Sequence, residues 1–317
     1  MDSIKEKVLF IINPISGVGK QKTVEKAIEK SLDKSLFDYD IEYTEYAHHA
    51  SLISLRATLE GYNSIIAVGG DGSINDCVRG LVGSKSYLGI IPAGSGNGLA
   101  RHLRIPLDIG LAIEVINQNN RTSIDTIKVN SRIYASIAGV GFDALIAKEF
   151  QKSKTRGFNK YLSLVLQHYP LYEPKIYRLE IDNEIIETEA LFISFANSNQ
   201  FGYNAIIAPN AELDDGFIDI SIVRKIPMML LPWTAQLLFT KNFDKSIYVT
   251  NYKAKTAKLV NDESRLVNLD GESVVMERDL SFSILPKSLN IIIPKNYGKE
   301  KKEPYWSSIF DRSIFSI

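Results

Sequence analysis

With a single cysteine, Cys77, the chain cannot form an internal disulfide, and such a composition suits a reducing compartment. No apolar run approaches the ~20 residues that span a bilayer. The opening stretch, Met1-Asp2-Ser3-Ile4-Lys5-Glu6-Lys7, is too polar for a signal peptide. The expectation is a cytoplasmic protein whose membrane contact, if any, is peripheral and on the inner face. Net charge is also missing, since Lys+Arg and Asp+Glu both total 37 in the 317 residues. Without it there is no general attraction for a polyanion, which argues against nucleic-acid binding. Histidines are few, and His48, His49, His102 and His168 lack metal-ligand spacing, which leaves them surface or capping roles. Internal repeats and low-complexity segments are absent. What remains is an apolar content sufficient for a substantial core, in one large domain or two ordinary ones.

The front of the chain alternates short apolar runs with helical periodicity. Val8–Ile12 and Ser64–Val68 read as buried strands, Tyr39–Thr44 and Leu88–Ile91 as further strands. Between them, Val24, Ala27, Ile28 and Leu32 make one helical stripe, residues 50–60 a second helix, and Ile74, Cys77, Val78, Leu81 and Val82 a third stripe. Helical segments continue to about residue 119. This pattern predicts an α/β domain over 1–122, with a parallel sheet and helices on both faces. After residue 122 strands follow one another at 124–129, 132–138, 175–182, 185–196, 217–224, 246–260, 264–269, 279–284 and 289–293. Turn residues separate them, and helical interruptions fall near 142–168 and 227–240. Residues 123–296 therefore read as a mostly antiparallel β-sandwich, with a cleft facing the first domain. Residues 297–317 form a tail, packed on the protein or on a membrane.

Three small-residue loops leave the carboxyl ends of front-half strands: Asn13-Pro14-Ile15-Ser16-Gly17, Gly69-Gly70-Asp71-Gly72-Ser73 and Gly94-Ser95-Gly96-Asn97. That edge of an open α/β sheet is where ligands bind, and helix N-termini behind such loops offer unpaired N–H groups to phosphate. Three together suit a nucleotide triphosphate. Gly17-Val18-Gly19-Lys20 is not a Walker sequence, because Gln21 stands where a Ser or Thr should hold magnesium and Pro14 replaces the first glycine. Gly139-Val140-Gly141-Phe142-Asp143-Ala144 matches a dinucleotide fingerprint but lacks a βαβ unit around it. The back half adds Asp214-Asp215-Gly216 and Asn268-Leu269-Asp270-Gly271-Glu272. Phosphoryl transfer needs magnesium on the phosphates and a carboxylate for the acceptor proton, and Asp71, Asp270 and Glu272 can supply these. Any Asp-Gly pair is equally a favoured hairpin turn.

In this order, the loops, Pro92-Ala93-Gly94-Ser95-Gly96-Asn97, Gly139–Ala144, Pro209-Asn210-Ala211 with Asp214–Gly216, and Leu269–Glu272 resemble the diacylglycerol kinase catalytic-domain superfamily over nearly the whole chain. The resemblance implies an NAD-kinase-like first domain, a β-sandwich second domain, and an ATP-dependent lipid kinase using ATP and Mg2+. By position, Asn13, Pro14, Ser16, Gly17, Thr44, Gly69, Gly70, Asp71, Gly72, Ser73, Asn75, Gly94, Ser95 and Asn97 would meet ATP. Glu272 would accept the proton, with Asp270 and Asp71 beside it. Glu212 and Phe217, through their carbonyls, and the Asp215 side chain would hold magnesium, a hard cation that prefers oxygen. Ser73 stands where the family usually has Thr, and Gly98 where the bacterial branch usually has Asp. The Pro-Ala-Gly-Ser-Gly-Asn spelling looks more like the sphingosine and ceramide kinase branch, so the acceptor is a diacylglycerol or a sphingoid-type lipid. An NAD kinase or a non-catalytic sensor on this scaffold are the alternatives, and a homodimer is compatible with each. Cys77 reads as core. Met228–Trp233 with Leu237–Phe239 reads either as a lipid-facing surface or as a helix packed on the sandwich. The Lys299, Lys301 and Lys302 patch before Trp306, Ile309, Phe310, Ile314 and Ile317 has the composition of an interfacial anchor.

Overall fold

The computed structural model describes residues 5–15, 21–260 and 265–298. In the front half β1 (Glu6–Ile12), α1 (Gln21–Ser31), β2 (Phe37–Tyr43), α2 (His49–Leu59), β3 (Ser64–Gly69), α3 (Asp71–Leu81), β4 (Tyr87–Pro92), α4 (Gly98–His102) and α5 (Ile109–Gln118) follow in turn. The four strands are parallel in the order β2-β1-β3-β4. Val8–Ile12 and Ile65–Val68 are buried throughout, because helices cover both faces, and so they are apolar without alternation. The stripe of α3 (Ile74, Cys77, Val78, Leu81) is buried as its spacing predicts.

The back half comprises β5 (Arg121–Val129), β6 (Arg132–Tyr134), β7 (Ile137–Gly141), α6 (Phe142–Lys152), α7 (Phe158–His168), β8 (Lys175–Ile181), β9 (Glu184–Ala190), β10 (Phe192–Ala196), β11 (Ile218–Val223), α8 (Leu231–Phe239), β12 (Val249–Ala254), β13 (Thr256–Val260), β14 (Arg265–Leu269), β15 (Glu272–Met276) and β16 (Leu280–Ile292). An antiparallel sheet, β12-β11-β10-β7-β14-β15, shares a core with the strands β5, β8, β13 and β16. Phe195 and Phe282 stack across that core with centroids 3.8 Å apart. Burying aromatic rings of this size contributes roughly 2–3 kcal/mol each.

The two halves are not separate sheets. β16 runs beside β4, pairing Ile291 with Leu88, so the front sheet continues into the sandwich as one ten-stranded sheet. Three segments that read as single strands are each two. At Leu191 and Lys255 the chain leaves one sheet for the other, a corner that alternation alone does not mark. At Ala135-Ser136 the chain breaks between β6 and β7. Conversely, 279–284 and 289–293 are one strand, β16, with a register shift between Leu285 and Leu289. At the carboxyl end, Tyr297 packs against the front core; the anchor-like residues from Lys299 onward lie outside the described residues.

Candidate active site

Going from β1 the chain adds β2 on one side and β3 on the other, so the switch point of the parallel sheet lies between β1 and β3. In such sheets ligands bind in the crevice at the carboxyl ends there. Asn13 and Ser73 span it: Asn13 Nδ2 donates to Ser73 Oγ at 2.9 Å. Asn13 Oδ1 accepts the Ile15 N–H, which folds the Pro14 turn. Thr44 follows β2 and donates its N–H to the Ile12 carbonyl, directly behind Asn13. Ser16 and Gly17, with the rest of the Gly17–Lys20 stretch, lie outside the described residues.

The second and third loops pack backbone on backbone. A Cβ on Gly94 would stand 2.3 Å from the Gly70 Cα, so only glycine permits the approach. The Ala93 N–H donates to the Gly69 carbonyl. Asn97, in the left-handed region at φ 55°, closes its own loop by accepting the Gly94 N–H and donating to the Gly94 carbonyl. Ser95 is exposed at the tip. Gly70 is the N-cap of α3, so the first N–H groups of that helix open onto Gly72 and Ser73.

Asp71 braces these loops. Its Oδ2 accepts the Asn97 N–H at 2.8 Å and its Oδ1 the Gly98 N–H at 2.7 Å. Burial pushes its carboxyl up to about 6 against the lowering effect of those N–H groups. Gly98 itself has no room for a side chain: a Cβ there would lie 2.9 Å from the Gln200 carbonyl oxygen.

The Asp270 turn comes from the other half of the molecule and reaches the same helix. Asp270 accepts three successive backbone N–H groups, from Ala135 (3.0 Å), Ser136 (3.0 Å) and Ile137 (2.7 Å). This clasp is what separates β6 from β7. Burial pushes its carboxyl up to about 7, and the nearby Asp71 charge adds to the rise. With its amide nitrogen donating, Asn75 of α3 bonds Asp270 Oδ2 at 3.2 Å while its oxygen accepts from Arg79 at 3.2 Å. Arg79 also pairs with Glu272 at 3.2 Å, and His48 Nε2 lies 3.4 Å from the other Glu272 oxygen. Asp76 ties Arg79 and His48 together from behind, at 3.3 and 3.0 Å. The Glu272 side chain keeps 20% of its exposure, so it remains reachable from solvent.

Spacing gave no hint of Arg79, and His48 read as a surface or capping residue. His48 does precede α2 as its N-cap, at φ 66°, but its ring crosses to Glu272 and Asp76. The Gly139–Ala144 stretch is a strand–helix turn after all, though β7 pairs only with antiparallel neighbours. Its buried Asp143 accepts from Asn268 Nδ2 at 2.9 Å, and Asn268 Oδ1 accepts the Gly271 N–H, so this motif props the Asp270 turn. A Cβ on Gly139 would collide with Asp143, 1.9 Å away.

Asp215 and Phe217 sit just before β11, and Glu212 is close enough to act electrostatically on Asp219 and Lys253. Asp215 Oδ1 accepts the Phe217 N–H, and Oδ2 pairs with the Lys253 ammonium at 2.5 Å. Oxygen donors of this kind suit magnesium, but here the chain's own cation holds the carboxylate. The Lys253 side chain is 41% exposed and would have to swing away for a metal to enter. Among the described residues no group of three or more His, Cys, Asp and Glu is arranged to hold a metal.

Comparison with known proteins agrees with this fold. The diacylglycerol kinase catalytic domain matches residues 7–129, and the YegS C-terminal NAD kinase beta sandwich-like domain matches 136–293. A diacylglycerol kinase of Staphylococcus haemolyticus is 30% identical over 266 residues, covering 82% of this chain and 80% of that protein. One from Staphylococcus saprophyticus is 29% identical over 274 residues, covering 85% and 90%. The crystal structure of a diacylglycerol kinase from Bacillus anthracis shares the fold, with TM-score 0.70 at 21% identity over 93% of this chain and 99% of that one. An NAD kinase from Archaeoglobus fulgidus, solved with ATP, has TM-score 0.50 at 10% identity over 92% and 96%. With both halves matched and the two loop sets converging on α3, the chain belongs to the diacylglycerol kinase catalytic-domain family of lipid kinases.

Proposed function

We propose that the protein transfers the γ-phosphate of ATP to a hydroxyl of a membrane lipid, diacylglycerol first among the candidates, at the inner face of the membrane. One observation carries this reading: Asp270 and Glu272 of the back half lie within hydrogen-bond reach of Asn75 and Arg79, on the helix that begins at the Gly70 loop. In this account residues 1–122 bind the nucleotide and 123–296 complete the site. ATP lies at the switch point, its phosphates against the Asn13, Gly70–Ser73 and Gly94–Asn97 loops and the α3 N-terminus. Magnesium, bound with the triphosphate, supplies charge neutralisation on the phosphate oxygens. Glu272 takes the proton of the attacking hydroxyl as the lipid displaces His48 or Arg79 from one carboxylate oxygen. Asp270 is a positioning residue: its clasp on Ala135–Ile137 fixes the turn that carries Glu272. Asp71 positions the Gly94–Asn97 loop in the same way.

The test is transfer of label from γ-labelled ATP by purified protein to diacylglycerol, a sphingoid base, ceramide, a polyprenol and NAD in parallel. Labelled phosphatidate is the expected product. Label in NAD alone would overturn the lipid reading, and no label in any acceptor would turn the chain into a sensor.

A further inference from the structure

We infer that α7, α8 and the short turn before α8 form a docking face for an anionic lipid bilayer, set beside the mouth of the active site. This rests on the lipid-kinase reading for its purpose, though not for its evidence. The helices lie side by side in opposite directions. The Phe158 ring at the start of α7 meets Phe239 at the end of α8, and Tyr169 beyond α7 hydrogen-bonds both the N–H and the carbonyl of Ile226. Their inner residues are buried together: Leu164, Val165 and Tyr169 pack with Leu231. Their outer residues are apolar and uncovered. Leu162 and Leu166 stand one turn apart on α7; Met229 and Trp233 stand one turn apart at α8, 89% and 72% exposed. Leu171 and Ile247 beside them are also exposed.

Charge identifies the occupant. The whole chain is neutral, yet residues 148–173 and 224–248 together hold nine Lys and Arg against three acidic residues, Glu149, Glu173 and Asp244, of which Glu173 pairs with Lys225 at 3.5 Å. Five of the cations, Lys148, Lys152, Lys154, Arg156 and Lys160, precede or open α7; Arg224 and Lys225 precede α8 and line a shallow hollow with Pro174, Glu189, Ile247 and Tyr248. An apolar face rimmed by cations is the composition of a surface that lies in the headgroup region of an anionic membrane. Position completes the argument. Phe158 packs on Tyr203 at 5.4 Å, and the Tyr203 N–H donates to the Gly96 carbonyl, so a bilayer seated on this face meets the loop of the catalytic cleft.

The experiment uses the full chain without ATP, sedimented with vesicles of phosphatidylcholine alone or mixed with phosphatidylglycerol. Binding is expected only to the mixed vesicles, weakening with salt. The paired substitutions Met229→Ser with Trp233→Ser, and separately Lys154→Glu with Lys160→Glu, are each expected to lower vesicle partitioning about tenfold or more. In a Trp306→Phe background Trp233 is the sole tryptophan, and brominated lipid should quench it. Wild-type partitioning by both variants, or an unquenched Trp233, overturns the proposal. So does binding lost only on removal of residues 299–317, which assigns it to the tail, or a change in self-association without a change in vesicle binding. Phosphorylation of a water-soluble short-chain diacylglycerol separates the two readings. Docking variants retain it if both hold, whereas vesicle binding by a wild type that never phosphorylates lipid leaves docking intact and removes the kinase.

Discussion

The Asp270 turn and the Asp215 turn are spelled with the same letters, an Asp followed by a Gly with positive φ, at the end or beginning of a sandwich strand. Their carboxylates have different surroundings. Asp270 is 8% exposed and accepts three backbone N–H groups, and the Glu two residues on reaches across to a helix of the front half. Asp215 accepts one N–H and pairs with Lys253, a half-exposed lysine of the adjacent strand β12. One carboxylate turn reaches a helix of the front half; the other keeps its carboxylate within its own sheet, though the Gly216 N–H beside it donates to Asp125 of β5 in the other sheet. Turn chemistry and site chemistry are therefore not alternatives at Asp270. The hairpin geometry is what delivers Glu272 to Arg79.

The largest separation between the turns should appear in stability. Asp270→Ala leaves three buried N–H groups without an acceptor and puts Ala in the left-handed region, so urea unfolding should show a loss of about 3–5 kcal/mol. Asp215→Ala breaks a partly exposed ion pair and should lose at most about 1 kcal/mol. Equal losses would erase the contrast. Next in size, Gly98→Asp forces a side chain against the Gln200 carbonyl and should cost about 1–3 kcal/mol with weaker ATP binding, measured by unfolding and by nucleotide titration.

A pH series sharpens the same contrast. Burial pushes the carboxyls of Asp71 and Asp143 up to about 6 and that of Asp270 up to about 7, above the ordinary carboxyl value of 3.8. Between these values the folded chain keeps protons that the unfolded chain has released. The stability this gives is full below about pH 4 and is lost as pH rises through about 6 to 7. The melting temperature should fall from about pH 5 to about pH 8, and a rise across that window would contradict the assignment. The smallest effect belongs to the other turn. Lys253→Met frees the Asp215 carboxylate, so millimolar magnesium should raise the melting temperature of this variant more than that of the wild type; an unchanged or smaller shift would show that Lys253 does not compete.

Much of the fold was legible because burial leaves marks that are local. Apolar runs such as Val8–Ile12 and the stripe of α3 announce a two-face-covered strand and an amphipathic helix by spacing alone. Corners at Leu191 and Lys255 were not legible, since alternation continues while the chain changes sheets. Nor was the continuity of β16 past Pro286. There the Asp125 carboxylate, from β5, accepts the Lys287 N–H and holds the bulge, a contact 162 residues away in sequence. In the candidate site the acidic and glycine residues could be named because their types are demanded by phosphate and proton chemistry. Arg79 and His48 could not, nor could the bond from Asn268 to Asp143, because each acts through a partner that only the fold brings near.

The central claim is that Glu272, presented by the Asp270 turn to the helix behind the Gly70 loop, takes the acceptor proton. Its most direct test is the rate of γ-phosphate transfer to diacylglycerol by Glu272→Gln, measured with ATP affinity on the same preparation. A general base contributes about 10²- to 10⁴-fold; the rate should fall by that factor with ATP affinity within about twofold of wild type. A variant that phosphorylates diacylglycerol at the wild-type rate would contradict the account.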